Sequence, residues 1–153
     1  MRRITIALAF VALATPGLAD CDDFVLTSDG QERSLLSDVG EAPAVGDRLF
    51  GHRAVLLDGQ RVGSNRFIST AMEAPGDGGT QHLTGAFLLD DGTIHYEGFW
   101  NRSLPATDVS APGGDGYTAA ITGGTGRYNE ATGTITNHID GLNSRYSFDI
   151  DCD

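Results

Sequence analysis

Beyond residue 20, apolar side chains recur mostly at a period of two, and Gly, Asp, Asn and Pro interrupt them roughly every ten residues; stretches with helical period are scarce. That combination predicts an all-β sandwich or barrel. Eight strands are expected, over 23–27, 48–57, 62–73, 81–89, 93–100, 117–122, 134–139 and 145–152. Asp90-Asp91-Gly92 between two apolar runs is the clearest hairpin signal. Two stretches, 73–80 (EAPGDGGT) and 104–116 (LPATDVSAPGGDG), hold too much Gly and Pro to pair as strands and read as loops.

Alternation also sorts the side chains by face. On the last strand Tyr146, Phe148, Ile150 and Cys152 share one side, opposite Arg145, Ser147, Asp149 and Asp151, so the first set is expected to be buried. The 81–100 hairpin is less clear. Leu83, Phe87, Ile94, Tyr96 and Trp100 share one parity, while His82, His95, Glu97 and Phe99 share the other, and aromatic residues occur on both. Such a strand is covered on each side, by a lumen within and a partner subunit without.

The glycine-dense segment from Ala119 to Thr136, AAITGGTGRYNEATGTIT, reads as a tight connection between strands, with Gly123, Gly124 and Gly126 supplying backbone angles closed to other residues. Its GGTG is not a phosphate loop, because neither a Lys nor an amphipathic helix follows and no βαβ unit surrounds it.

Residues 1–19 have the makings of a secretory leader: Arg2 and Arg3, an apolar run from Ile4 to Ala14, and Gly17-Leu18-Ala19 as a small-x-small cleavage site. Residues 20–153 then form a single β-barrel domain, secreted or periplasmic, with no membrane anchor after cleavage, since the apolar run is too short to span a bilayer. The chain has 10 basic and 21 acidic residues, and every basic one is Arg. So negative a surface argues against nucleic acid and anionic membranes as partners. Cys21 and Cys152, the only two cysteines, are expected to form a disulfide joining the first strand to the last.

On these residues the chain resembles a known family. ITGGTGRYNEATG (Ile121 to Gly133), preceded by the FLLDDGTIHYEG hairpin (Phe87 to Gly98), by VGDRLF (Val45 to Phe50) and by RVG (Arg61 to Gly63), is similar to the allene oxide cyclase barrel, whose superfamily includes the plant dirigent proteins. The resemblance runs from about Val45 to the C-terminus. It implies an eight-stranded antiparallel, calycin-like β-barrel with an apolar lumen, often a homotrimer. The plant cyclases close a ring on an unsaturated fatty-acid epoxide, and dirigent proteins orient phenoxy radicals for coupling. The cyclases' first-strand Glu and Asn have no counterpart in DDFVLTSDG, their Cys falls at or near Ser69, and a further Asn of the family meets only Gly51, His52 and Arg53. The resemblance thus carries the container further than it carries the cyclase chemistry.

The candidate chemistry is correspondingly sparse. Glu97 and Arg66 sit in mid-strand among apolar or small residues and, with Ser69, are the candidate catalytic groups; Tyr96, Trp100 and Phe87 are the candidate ligand-contact residues. His52, His82, His95 and His138 are too dispersed for a zinc site, GxSxG is absent, and no motif calls for a cofactor. The leading expectation is an exported barrel that takes an apolar small molecule, fatty-acid-derived or phenolic, and guides its reaction. An isomerase with a rearranged cyclase site and a non-catalytic oligomeric module are the alternatives.

Overall fold

The computed structural model describes residues 21–28, 33–38, 44–73, 79–101 and 116–152, with the backbone alone over 33–38 and at 101. The expected leader, most of the 73–80 loop and the 104–116 loop up to its last residue lie outside the described residues. Nine strands form: β1 (Phe24–Ser28), β2 (Arg33–Asp38), β3 (Arg48–Leu57), β4 (Gln60–Ala71), β5 (Thr80–Leu89), β6 (Gly92–Asn101), β7 (Tyr117–Gly126), β8 (Thr132–Asp140) and β9 (Asn143–Asp151). All neighbouring pairs are antiparallel, and β3 through β9 follow one another around the wall in chain order.

Closure falls to the N-terminal strands. β1 pairs with β9 from Phe24↔Phe148 to Ser28↔Ser144 and touches β3 at Thr27↔Leu56; β2 then continues along β3 from Arg33↔Arg53 to Asp38↔Arg48. The two share one place in the wall, so the nine strands make a closed eight-stranded antiparallel barrel, as expected. Closure removes the exposed edges that an open sheet would offer to other chains.

Two elements differ from the sequence expectation by more than two residues, β2 and β7. RSLLSD (33–38) has too many polar residues to announce a strand, yet it pairs with β3 over its whole length. The expected turn at Gly123 to Gly126 is instead the end of β7, paired with β6 at His95↔Gly123, Ile94↔Gly124 and Gly92↔Gly126. The register slips between His95 and Tyr96, so the glycines carry a bulge, and the reversal comes later, at 127–130. Gly126 (φ 64°) and Glu130 (φ 59°) bracket that reversal in the left-handed region.

The inward parity is the one carried by Leu26, Val55, Asn65, Leu83, Phe87, Ile94, Tyr96, Ile135, Tyr146 and Phe148, all at most 3% exposed. Tyr96 and Trp100 therefore face inward on the hairpin, and His95, Glu97 and Phe99 face outward. At the end where β1 begins and β9 finishes, the lumen is filled with hydrocarbon. Phe87 meets Phe148 and Tyr146 edge-on at 5.0 Å, and Phe148 stacks on Phe24 at 4.3 Å. The Cys21–Cys152 disulfide is formed at this end, with Cα atoms 5.5 Å apart and a sequence separation of 131. A structural disulfide suits an oxidising, non-cytoplasmic environment.

Candidate functional site in the barrel lumen

Away from the disulfide, the same inward positions become polar. Arg53 on β3 and Asn65 on β4 are cross-strand partners and so share a face. Tyr96 on β6, Tyr117 on β7, Asn137 on β8, and Tyr146 and Ser144 on β9 continue the ring of inward groups. The Tyr96 hydroxyl donates to Asn65 Oδ1 at 2.9 Å, and a second hydrogen bond joins Tyr96 to Tyr117. Arg53 Nη1 donates to Ser144 Oγ. Farther out, Ser69 Oγ donates to Gln81 Oε1 at 3.1 Å, and the rings of Trp100 and Tyr117 lie 6.3 Å apart.

Two inward glycines make room for this layer. A Cβ on Gly85 would lie 2.5 Å from the Tyr96 ring and hydroxyl, and one on Gly51 would run into the Phe67 ring. Each glycine lets a cross-strand aromatic ring lie flat against the wall. That fixes the height at which the Tyr96 hydroxyl meets Asn65.

Burial is the largest influence on the tyrosines. It pushes the Tyr96 phenol well above its usual range, helped by Tyr146, while its hydrogen bonds with Tyr117 and Asn65 and the Arg53 charge pull the other way. Tyr117 is raised likewise, first by burial and then by Tyr96 and Tyr146. Both phenols are neutral at physiological pH. They act there as hydrogen-bond donors and hold their protons too firmly to serve as bases.

The ring also has hydrogen-bonding capacity left over. Asn65 is fully buried, yet its Nδ2 has no partner; the same holds for Asn137 Oδ1 and Arg53 Nε. A buried polar group left unpaired costs about 1–3 kcal/mol, so a fold retains several in one place only where something offsets them. No Asp or Glu among the described residues is buried, and Arg53, half-buried, has Arg33 of β2 and Asn65 of β4 as its register partners. A groove of about 500 Å³ opens beside this layer, lined by Thr27, Ser28, Leu56, His138, Ser144 and Arg145, and so reaches the serine that Arg53 binds from inside.

The catalytic candidates named from sequence do not meet. Ser69 faces inward, 1% exposed. Glu97 stands on the outer face with its carboxylate 2.6 Å from His82 Nε2, and Arg66 lies in a separate outer groove of about 670 Å³ with Phe50, His52, Ile68 and His95. Of the ligand-contact candidates, Phe87 sits deep in the hydrocarbon-filled part, Tyr96 at its border, and Trp100 in the polar part. Arg53, Asn65, Tyr117, Asn137 and Tyr146 carry no motif that marks them as chemistry in the sequence. Parity would have grouped Leu49, Gly51, Arg53 and Val55, but the opposite face of β3, with Phe50 and Ala54, is equally apolar.

Comparison with known proteins agrees with this architecture. The family model described as the allene oxide cyclase barrel like domain matches residues 26–150. Among solved structures, a pyocyanin demethylase superposes with a TM-score of 0.64 at 23% identity, covering 84% of this chain and 99% of its own. AbnU, an exo-specific intermolecular Diels-Alderase, gives 0.52 at 16% identity, covering 85% and 98%. At such identities the likeness is one of fold alone. No curated protein gives a significant match. With closed barrel, strand order and family model in agreement, the chain belongs to the allene oxide cyclase barrel-like family.

Proposed function

We propose that this protein is an exported barrel that binds an apolar small molecule, fatty-acid-derived or phenolic, in the tyrosine-lined part of its lumen and guides its reaction there in the manner of dirigent proteins. The observation that carries this reading is the ring of inward polar groups with unspent hydrogen-bonding capacity, set beside an interior otherwise filled with hydrocarbon. Ligand sites are mostly apolar with a few well-placed polar groups, and this lumen has that composition. The two structural neighbours, a demethylase and a Diels-Alderase by name, lend support as barrels of this kind that act on small molecules. Export rests on residues 1–19 and on the disulfide. Native mass spectrometry of the disulfide-intact protein against a panel of fatty acids, their esters and phenols is expected to give a one-to-one adduct. Failure of every compound in the panel to bind would remove the reading.

A second reading, assembly as a homotrimer or other oligomer through the outer wall, is favoured by the outer surface of β3 to β6. Phe50 and Ile68 are cross-strand neighbours there, 38% and 37% exposed, and Phe99, two strands farther along, is 62% exposed. Light scattering that returned the mass of a single chain would count against it.

A further inference from the structure

The polar layer is asymmetric in a way that constrains what it binds. Its unspent donors, Arg53 Nε–H and the Asn65 amide, belong to cross-strand neighbours on one side of the lumen. Tyr96 has already committed its proton to Asn65 Oδ1, which leaves the Asn65 Nδ2 protons as the free end of that side chain. No Asp or Glu is buried among the described residues, and the half-buried Arg53 guanidinium donates from Nη1 to the Ser144 hydroxyl. A guanidinium partly withdrawn from water with an unpaired Nε–H is a costly arrangement, and an oxyanion is the group that offsets it best, since a carboxylate or phenolate accepts from both donors at once.

We infer that Arg53 and Asn65 form an anion-reading pole in the lumen, and that the apolar ligand is oriented there by a carboxylate or phenolate oxygen. This inference rests on the lumen reading above and narrows it from apolar molecules in general to weak organic acids. The hydrocarbon body of such an acid lies against the aromatic groups beside the pole, with Tyr96 between the two environments. Ser144 is a positioning residue: it holds one arm of the guanidinium and leaves Nε for the ligand.

The test compares molecules of the same body with and without the charge. Isothermal titration calorimetry on the purified, disulfide-intact protein would use decanoate against methyl decanoate, and 4-nitrophenolate against 4-nitroanisole, so that the carboxylate and phenolate sources are read separately. The charged member of at least one pair is expected to bind about tenfold or more tightly than the neutral one, the usual worth of a charge-assisted hydrogen bond. Arg53→Met should abolish that preference while leaving the neutral compound's affinity within about twofold; Arg53→Lys should keep part of it. Equal binding of charged and neutral members would overturn the anion pole and leave the lumen reading intact. No binding by any of the four would overturn both.

Asn65→Asp gives an independent arm should Arg53→Met fail to fold. It places a carboxylate beside the guanidinium and is expected to raise the melting temperature while removing the charged compound's advantage. A rise in stability together with loss of anion binding is not what damage to the fold produces. Retention of the acid-over-ester preference in Asn65→Asp would overturn the inference.

Discussion

The two halves of the lumen are laid down by the same strands with the same alternation, and they differ in what the alternation delivers. Toward the disulfide, the inward positions bring Leu26, Phe87, Ile94, Ile121, Ile135, Phe148 and Ile150 into one contact network. Toward the other end they bring Arg53, Asn65, Ser69, Tyr117, Asn137 and Ser144. Burial in the first half is repaid by removal of hydrocarbon from water, about 25 cal/mol per Å². In the second it is repaid only where hydrogen bonds close, and here several stay open. One half closes on hydrocarbon, and the other leaves polar groups unpaired.

The contrast can be broken most forcefully in the apolar half. Phe87→Ala removes a ring touching Tyr96, Tyr146 and Phe148 and should cost about 3–5 kcal/mol in chemical denaturation. A loss below about 1 kcal/mol would mean that this half is not the stabilising one.

Alkaline pH attacks the polar half. The Tyr96 and Tyr117 phenols are raised in the folded state, so their contribution is fully present below the ordinary tyrosine range and is lost as pH climbs from there toward their folded values. Near pH 11 each should cost about 1 kcal/mol, because the unfolded chain ionises and the folded one does not. Tyr128, pushed up to about 12 by burial and then by Asp91, should be the first of these three raised tyrosines to ionise in the folded protein, followed by tyrosinate absorbance. Ionisation of Tyr96, Tyr117 and Tyr128 together near pH 10 without unfolding would contradict the buried layer.

A smaller perturbation tests whether the polar half is held in place. Gly85→Ala sets a methyl group against the Tyr96 ring, and the expected cost is about 1–2 kcal/mol, with the Tyr96–Asn65 hydrogen bond lengthened or lost. The least effect is expected outside the barrel. Glu97→Gln removes a carboxylate from an exposed pair with His82 and should change stability by less than about 0.5 kcal/mol. A large loss of stability would show that the outer wall carries weight when assembled.

Much of the container was legible in the chain. The turn at Asp90-Asp91 falls where expected, the β9 parity is as read, and the cysteine pair closes. These signals are local: a turn needs its own residues, and a half-buried strand shows its face by alternation. β2 was not legible because pairing with β3, and not its own composition, makes RSLLSD a strand. The glycines of β7 mislead for a related reason. Glycine permits both a reversal and a bulge, and the register against β6 decides between them.

The polar layer was harder to read, because its members lie far apart in sequence and gain meaning only around a closed wall. Arg53 reaches Ser144, and Tyr96 reaches Asn65, each across a different part of the barrel. Mixed faces on β3 and β6 hid which parity was inside. Glu97 and Arg66 stand out in the sequence as charged residues in mid-strand, but a barrel wall has an outer surface where such residues are ordinary.

The bond between Cys21 and Cys152 makes nearly the whole described chain a covalent ring, with its two ends fastened beside one another. A protease that cuts once in the 127–130 turn or at Gly141–Leu142 would leave a single molecule of almost unchanged mass. Under denaturing conditions the two fragments would separate once the disulfide is reduced. Damage of this kind need not mean loss of the parts.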